Sequence, residues 1–273
     1  MEDKRDRKIE LMGIVNLTDD SFFEGSRILG EGGVFEPEEF LSRIDSMVSE
    51  GADILDLGAC STRPGSDSVS EETEWERLEQ ALRLLASERP GLRLSIDTFR
   101  PGIATRAYDI IGPFIVNDVS GGSDAMWKTV GELGLPYVAM HTRGTPRDMQ
   151  TLTDYDDIIS EVESFLWNIS QVADSFGVKD WILDPGFGFA KTVEQNWLLL
   201  KELGIFKKIG RPILAGLSRK SFLYKPLGIT PDEALPATCA ANLLALQGGA
   251  SILRVHDIAP ARQVLEAFNR VSV

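Results

Sequence analysis

The sequence is poor in cysteine and histidine and contains no long apolar segment. Its two cysteines, Cys60 and Cys239, cannot build a disulfide framework, and with the two histidines they show no zinc-ligand spacing. No apolar run approaches the roughly 20 residues that span a bilayer. Residues 1–8 are almost all charged and lack the apolar segment of a signal peptide. We therefore expect a cytoplasmic protein without a membrane partner, in which residues 1–8 form a flexible charged leader.

Basic charge is also scarce, since 28 lysines and arginines stand against 42 aspartates and glutamates and the net charge is −14. A phosphate-backbone partner needs a basic face, so we expect no nucleic acid partner. An anionic substrate would meet an opposing field and would need a locally cationic site. Five cations that directly follow predicted strands could form such a patch: Arg63, Arg143, Arg219, Lys220 and Arg254.

No glycine-rich dinucleotide fingerprint follows the first apolar run, which counts against an open doubly wound sheet. Instead, eight apolar runs alternate with segments of helical period, as in a parallel sheet covered by helices. The runs cover residues 9–17, 53–58, 92–96, 114–119, 137–140, 181–183, 213–217 and 252–255. Helical stripes are formed by Phe40, Leu41, Ile44, Met47 and Val48, and by Trp75, Leu78, Leu82 and Leu85. We predict one domain, a TIM (β/α)8 barrel over residues 9–273.

The carboxyl ends of all strands in a TIM barrel face one mouth, where active sites lie. Polar residues concentrate at these predicted strand ends, whereas chance would scatter them over both ends of the barrel. They are Asn16, Asp20, Asp56, Asp97, Asn117, Asp118, His141, Arg143, Asp184, Lys220, Arg254, His256 and Asp257. This convergence predicts a catalytic site at the mouth.

Three of these residues, Asp97, Asn117 and Asp184, end strands that are otherwise apolar. A carboxylate in such a place is partly desolvated and needs a donor-rich partner. A flat heterocycle with an amino group beside a ring N–H would bind a carboxylate through two hydrogen bonds. Lys220 could pair with one carboxylate and keep it charged. The alternative is a salt-bridged barrel interior without a ligand.

A second group of residues is suited to an anion such as a phosphate or pyrophosphate. Arg254 and His256 are two apart in an extended segment and share one face. The loop at 61–65 adds a guanidinium group, and Mg²⁺ would find an oxygen donor in the amide of Asn16. The polar first loop, residues 18–26, could close over a substrate as a lid.

Six segments resemble, in order and spacing, the motifs of the dihydropteroate synthase family of folate biosynthesis. They are NLTDDSF (16–22), GADILDLG (51–58), STRPG (61–65), DPGFGFAK (184–191), SRKSF (218–222) and RVHD (254–257). The resemblance implies a TIM barrel that is usually a homodimer. It also implies a Mg²⁺-dependent transferase that joins 6-hydroxymethyl-7,8-dihydropterin diphosphate to p-aminobenzoate. The products would be 7,8-dihydropteroate and pyrophosphate.

The resemblance also assigns roles to residues that match the family motifs. Pterin binding is implied for Asp97, Asn117, Met140, Asp184, Phe189 and Lys220. Diphosphate binding is implied for Asn16, Thr62, Arg63, Arg254 and His256, and Asn16 would also bind Mg²⁺. The p-aminobenzoate would be bordered by Phe22, Pro64, Arg219 and Ser221. The implied catalytic residues are Asn16, Arg63, Asp97, Lys220, Arg254 and His256, in an SN1-like displacement in which pyrophosphate leaves first.

The chain departs from the family pattern at Asp19, where a proline is usual, at Glu24, where an aspartate is common, and at Cys60, where glutamate is frequent. Cys60 has no charged or histidine neighbour in the sequence, so we expect a packing residue rather than a nucleophile. His141 suits a structural role as well as ligand contact. Two alternatives stay open: a non-catalytic pterin-binding paralogue and a pterin-dependent methyltransferase domain.

Overall fold

The computed structural model of this chain describes residues 8–18, 35–61 and 69–271. Several predicted features lie outside these ranges. They are the leader up to residue 7, the departures at Asp19 and Glu24, and the predicted site residues Asp20, Phe22, Thr62, Arg63 and Pro64.

Eight parallel strands surround a common axis. They are β1 (Glu10–Asn16), β2 (Ile54–Gly58), β3 (Leu94–Asp97), β4 (Ile115–Asp118), β5 (Tyr137–Met140), β6 (Trp181–Asp184), β7 (Leu214–Ala215) and β8 (Ile252–Val255). Neighbouring strands pair in the order β6-β5-β4-β3-β2-β1-β8-β7. A parallel bridge between Leu183 and Ile213 then brings β6 beside β7 and completes the ring. The predicted TIM barrel is confirmed.

Helices connect the strands and pack on the outside of the barrel. They are α1 (Pro37–Ser49), α2 (Glu71–Glu88), α3 (Pro101–Ile111), α4 (Asp124–Leu133), α5 (Ile158–Ser175), α6 (Val193–Lys201), α7 (Ser221–Tyr224), α8 (Leu235–Gly248) and α9 (Ile258–Val271). Local sequence explains their starts, since α1 has a proline in its first turn and Thr192 with Gln195 forms a capping box for α6. Within the described ranges, no helix has the length and apolar character of a membrane span.

The hydrophobic core has two layers because alternate residues of each strand face opposite sides. Outward-facing residues such as Leu11 and Leu57 pack with the buried faces of the helices. A separate apolar cluster fills the floor of the barrel and consists of Met12, Ile54, Ile115, Val138, Ile182, Leu214 and Ile252. The inward-facing positions nearer the carboxyl ends are mainly polar, so the apolar floor supports a polar upper layer.

The strand predictions agree with the structure to within two residues at either end. The differences are largest at β3, predicted over 92–96 and observed as Leu94–Asp97, and at β7, predicted over 213–217 and observed as Leu214–Ala215. The α2 stripe is confirmed, since Trp75, Leu78, Leu82 and Leu85 are all buried. In α1 the predicted apolar stripe is wrong at Val48, which is exposed and lies at the edge of the face buried through Phe40, Ile44 and Met47.

Candidate active site

A cavity of about 520 Å³ opens at the carboxyl ends of the strands. Eight of the predicted site residues line it: Asn16, Asp97, Phe189, Arg219, Lys220, Ser221, Arg254 and His256. They come from β1, β3, β8 and the segments that follow β6, β7 and β8. The cavity therefore gathers residues up to 240 positions apart in the sequence, as the convergence of strand ends predicts.

The register of the strands explains the floor of this cavity. Asn16 pairs with Gly58, Gly58 with Asp97 and Asp97 with Asn117, so the four residues form one row around the barrel. Gly58 lacks a side chain at the centre of this row, and a Cβ there would lie 3.3 Å from the Cβ of Asp97. The glycine thereby leaves room for a ligand between Asn16 and Asp97.

A buried ion cluster lies beneath and beside this opening. The Nε of Arg254 donates to Oδ2 of Asp56 at 2.6 Å, and its NH2 group donates to Oδ2 of Asp97 at 2.7 Å. The amide of Asn117 donates to the same Asp56 oxygen at 3.0 Å. Asp56 is fully buried and so holds Arg254 and Asn117 in place. The interior is thus salt-bridged, as in the alternative prediction of a barrel without a ligand. Two of the paired residues, Arg254 and Asp97, nevertheless line the cavity.

Asp97 retains an unused acceptor in this cluster. Its Oδ1 is buried and has no hydrogen-bond partner among the described residues. Burial raises the pKa of Asp97 to about 7, although Arg254 acts in the opposite direction. A buried carboxylate oxygen without a donor is costly. A ligand N–H delivered into the cavity would remove that cost.

Lys220 and Asp184 are two buried ionisable groups that interact electrostatically on the other side of the barrel. The ammonium group of Lys220 donates to the carbonyl of Phe187 and lies 4.7 Å from the ring centroid of Phe189. Burial lowers the pKa of Lys220 to about 8, and Asp184 partly offsets this effect. Burial likewise raises the pKa of Asp184, and Lys220 lowers it. The two groups therefore stabilise each other's charged forms.

Asn117, Met140 and Asp184 lie under the cavity wall rather than on it. All three are buried, and Met140 is the register partner of Asp184. Oδ1 of Asp184 accepts a hydrogen bond from the backbone N–H of Gly186 at 2.8 Å. These residues thus form a deeper layer beneath Lys220 and Asp97.

Arg219 is fixed by the turn between β7 and α7. Its φ of 53° is left-handed, and its guanidinium group binds both carboxylate oxygens of Asp257 at 2.9 Å. The same group donates to the carbonyls of Pro231 and Asp232. With only 6% of its side chain exposed, Arg219 forms a rigid part of the cavity wall.

His256 and Asn16 complete the polar wall. The Nδ1 of His256 lies 2.9 Å from the hydroxyl of Ser218, which belongs to the turn that carries Lys220. Asn16 ends β1 and brings an amide to the cavity. Among the described residues, no group of three or more His, Cys, Asp and Glu side chains could hold a metal ion. The amide oxygen of Asn16 is a donor of the kind that Mg²⁺ takes beside substrate phosphates and waters.

Two residues predicted at the mouth are placed elsewhere. Asp118 follows Asn117 and so faces the helices, where it accepts hydrogen bonds from the Tyr137 hydroxyl at 2.8 Å and the Ser120 N–H at 2.7 Å. Arg143 binds Glu161 and stacks on Tyr155 at 3.8 Å. Neither residue lines the cavity, and neither do five other members of the predicted mouth cluster: Asp56, Asn117, His141, Asp184 and Asp257. The mouth cluster and the cationic patch are wrong at Asp118 and Arg143 because these two side chains bind partners outside the barrel interior.

Some lining residues were not anticipated from the sequence. Met149 and Gln150 come from the long connection after β5, and Tyr224 and Lys225 follow β7. No periodic pattern marks them, and their position after a strand was the sole available signal. Cys60 also lines the cavity but is buried. Burial is the main cause that raises the pKa of its thiol, and the negative charge of Glu74 adds to the effect. A raised pKa favours the packing role over that of a nucleophile.

The chain matches the family model described as "Pterin binding enzyme" over residues 12–256. It is 39% identical to the dihydropteroate synthase of Synechocystis sp., covering 94% of this chain and 88% of that protein. It is 36% identical to the dihydropteroate synthase of Haemophilus influenzae, over 95% of this chain and 92% of that protein. The crystal structure of the Thermus thermophilus dihydropteroate synthase with 4-aminobenzoate superposes with a TM-score of 0.84 at 36% identity. The superposition covers 97% of this chain and 95% of that protein. Family match, relatives and barrel cavity agree, and the chain belongs to the dihydropteroate synthase family of pterin binding enzymes.

Proposed function

We propose that this protein catalyses the dihydropteroate synthase reaction, in which 6-hydroxymethyl-7,8-dihydropterin diphosphate and p-aminobenzoate give 7,8-dihydropteroate and pyrophosphate. The C–O bond to the diphosphate breaks and its electron pair leaves with pyrophosphate. A C–N bond to the arylamine then forms, and the amine loses a proton. The observation that carries the proposal is the unpartnered Oδ1 of Asp97, a residue that lines one cavity together with Lys220, Arg254 and His256.

The pterin ring would bind on the deep side of the cavity. Asp97 offers an acceptor for an amino group or ring N–H, with Asn117 and Asp184 in the layer beneath. Lys220 offers a donor and Phe189 offers apolar surface, while Met140 lies in the layer beneath. A site of this kind rejects a ring that lacks the matching donors, because buried polar groups would then stay unpaired.

The diphosphate would bind beside β8 and β1. Arg254 and His256 supply donors to the cavity, and they offset the net charge of −14 locally. Asn16 would contribute its amide oxygen to Mg²⁺ shared with the phosphates. Such an ion neutralises charge that develops on the leaving group. Thr62 and Arg63, assigned to the same role by family resemblance, lie outside the described residues.

The arylamine would enter from the outer part of the cavity, near Ser221 and the wall formed by Arg219. Phe22 and Pro64, which the resemblance places here, lie outside the described residues. The described lining offers the Asp97 carboxylate and the Phe189 ring near a developing cation, while its cysteine has a raised pKa. These groups suit an SN1-like displacement, in which pyrophosphate leaves before the amine attacks, better than a covalent enzyme intermediate.

We further propose a homodimer in the cytoplasm. Helix α8 contains no charged residue and yet leaves Leu244 46% exposed. Trp197 and Leu198 of α6 and Leu227 are exposed as well. A helix that is apolar on all sides is normally covered, and a second copy of the chain would cover this surface.

The reaction with both substrates and Mg²⁺ tests the proposal directly. Dihydropteroate formation above a boiled-enzyme control is the expected result. Pterin diphosphate binding without product would instead identify a non-catalytic paralogue. The methyltransferase alternative is not favoured, because the relatives at 35–39% identity are dihydropteroate synthases.

A further inference from the structure

A buried lysine lies behind the cavity wall and takes no part in the proposed chemistry. Lys191, at the end of the segment after β6, is only 4% exposed. Its Nζ lies 3.0 Å from Nδ1 of His141 and 3.3 Å from the His141 carbonyl. It also lies 2.9 Å from the carbonyl of Gly186 and 3.0 Å from that of Phe189. One ammonium group thus joins the end of β5 to the segment 185–190.

The contact between Lys191 and His141 sets the hydrogen-bonding role of the histidine when the lysine is protonated. An ammonium group donates three hydrogen bonds and accepts none, so in that form Nδ1 of His141 is the acceptor and Nε2 carries the proton. Burial lowers the pKa of Lys191 to about 7, and Asp184 partly offsets this effect. Burial, with the nearby charges of Lys191 and Arg143, lowers the pKa of His141 to about 3. His141 therefore stays neutral and remains an acceptor for Lys191.

The segment 185–190 has an unusual backbone that needs such support. Gly186, Gly188 and Ala190 have φ values of 73°, 81° and 47°, and Ala190 bears a side chain that disfavours this region. The alternating conformation turns the carbonyls of Gly186 and Phe189 toward Lys191. A Cβ on Gly186 would lie 1.9 Å from the His141 carbonyl oxygen, so the backbone after β6 packs closely against the backbone after β5.

The same segment supplies the contacts that shape the pterin side of the cavity. Its Phe187 carbonyl accepts from Lys220, and its Phe189 ring lies under the Lys220 ammonium group. The N–H of Gly186 holds Asp184. One face of the segment thus contacts Lys191, and the other contacts Lys220 and Asp184.

We propose that Lys191, with His141 as its fixed acceptor, is a positioning residue for the pterin subsite. It gathers the carbonyls of segment 185–190 so that this segment presents the Phe187 carbonyl and the Phe189 ring to Lys220, and the Gly186 amide to Asp184. The inference rests on the proposed function, since it takes a pterin diphosphate as the ligand. It predicts an effect on one substrate, whereas a general packing role would affect both substrates or only stability.

The test compares Lys191→Met with Lys201→Met, a matched substitution on the exposed surface of α6. Lys191→Met should raise the Kd for pterin diphosphate by about tenfold, because segment 185–190 would no longer hold the groups that position Lys220 and Asp184. The KM for p-aminobenzoate should change less than about twofold, and Lys201→Met should leave both values unchanged. A folded Lys191→Met with wild-type pterin affinity, or with equal losses for both substrates, would overturn the proposal.

A second pair of variants keeps Lys191 and so guards against misfolding. His141→Asn retains an acceptor near the position of Nδ1, whereas His141→Leu removes it. His141→Leu should weaken pterin binding severalfold and His141→Asn should restore most of it, with folding checked by thermal unfolding. Equal pterin affinity in the two variants would contradict the inference. Because Kd is measured without turnover, wild-type enzyme that binds pterin diphosphate but forms no product would refute the proposed function alone.

Discussion

Arg254 and Asp97 are joined across the barrel, where the NH2 group of Arg254 donates to Oδ2 of Asp97 at 2.7 Å. This contact uses one carboxylate oxygen and leaves Oδ1 without a partner among the residues that the structure describes. The guanidinium group is itself held by Asp56 at 2.6 Å. The arrangement fixes the Asp97 carboxylate at the cavity before any substrate arrives, which reduces the ordering that binding requires.

Replacing that acceptor should weaken pterin binding. Asp97→Asn loses a charged hydrogen bond to the ligand, so the cost should be about 1.5–3 kcal/mol in binding free energy. Calorimetric titration with pterin diphosphate measures it. Asp118→Asn is the matched control, because Asp118 is buried nearby but faces Tyr137 and Ser120. An equal loss of affinity in both variants would argue against a direct role for Asp97.

The raised pKa of Asp97 predicts a pH dependence of stability. The folded-state pKa of about 7 lies above the ordinary value of 3.8, so the folded protein binds more protons between these limits. Stability from this group is present at low pH and is lost as the pH rises through about 7. Asp97→Asn does not titrate, so its unfolding free energy relative to wild type should increase between about pH 5 and pH 8. Urea unfolding at both values measures this, and a constant difference would contradict the assignment.

Lys220 should matter more for binding than for folding. Burial lowers its pKa to about 8, so keeping its charge in the cavity opposes stability. Lys220→Ala should therefore weaken pterin binding and turnover while the melting temperature changes little or increases. Steady-state kinetics with thermal unfolding would test this, with Lys225→Ala as the control for pterin affinity. Unchanged kinetics in Lys220→Ala would refute the role of Lys220 in pterin binding.

Lys225 gives a complementary prediction for the second substrate. It lines the outer cavity and is exposed, so its interaction with a carboxylate is screened and worth about 0.2–1 kcal/mol. Lys225→Ala should raise the KM for p-aminobenzoate by roughly twofold to fivefold at low salt. The effect should vanish for 4-aminobenzamide, which has no carboxylate. A similar change for both arylamines would show that charge is not the cause.

The apolar surface of α8 gives a prediction about assembly. Leu244→Glu places a charge on a surface that the proposed dimer would bury, and an unpaired buried charge is strongly unfavourable. Sedimentation should show a dimer for the wild type and a monomer for the variant. Glu233→Gln, an exposed change at the 3-10 turn before α8, should stay dimeric. A wild-type monomer would contradict the homodimer proposal.

Much of the fold could be read from local patterns. Apolar runs located all eight strands, and helical stripes located the buried faces of α1 and α2, because strand and helix periodicities are local properties. The same reasoning located Asn16, Asp97, Lys220, Arg254 and His256 at the strand ends, and the cavity contains all five. That reasoning did not distinguish Asp118, which faces the helices, from Asn117, which faces the barrel interior, because neighbouring residues in a strand point to opposite faces.

The sequence by itself therefore determined the barrel, the end of the barrel that carries the site, and the family through its ordered motifs. Tertiary structure alone decided which polar groups pair: Arg254 with Asp56 and Asp97, Arg219 with Asp257, and Lys191 with His141. These partners are 38 to 198 residues apart. Pairing over such separations depends on strand register and burial, and neither is encoded in the spacing of residues along the chain.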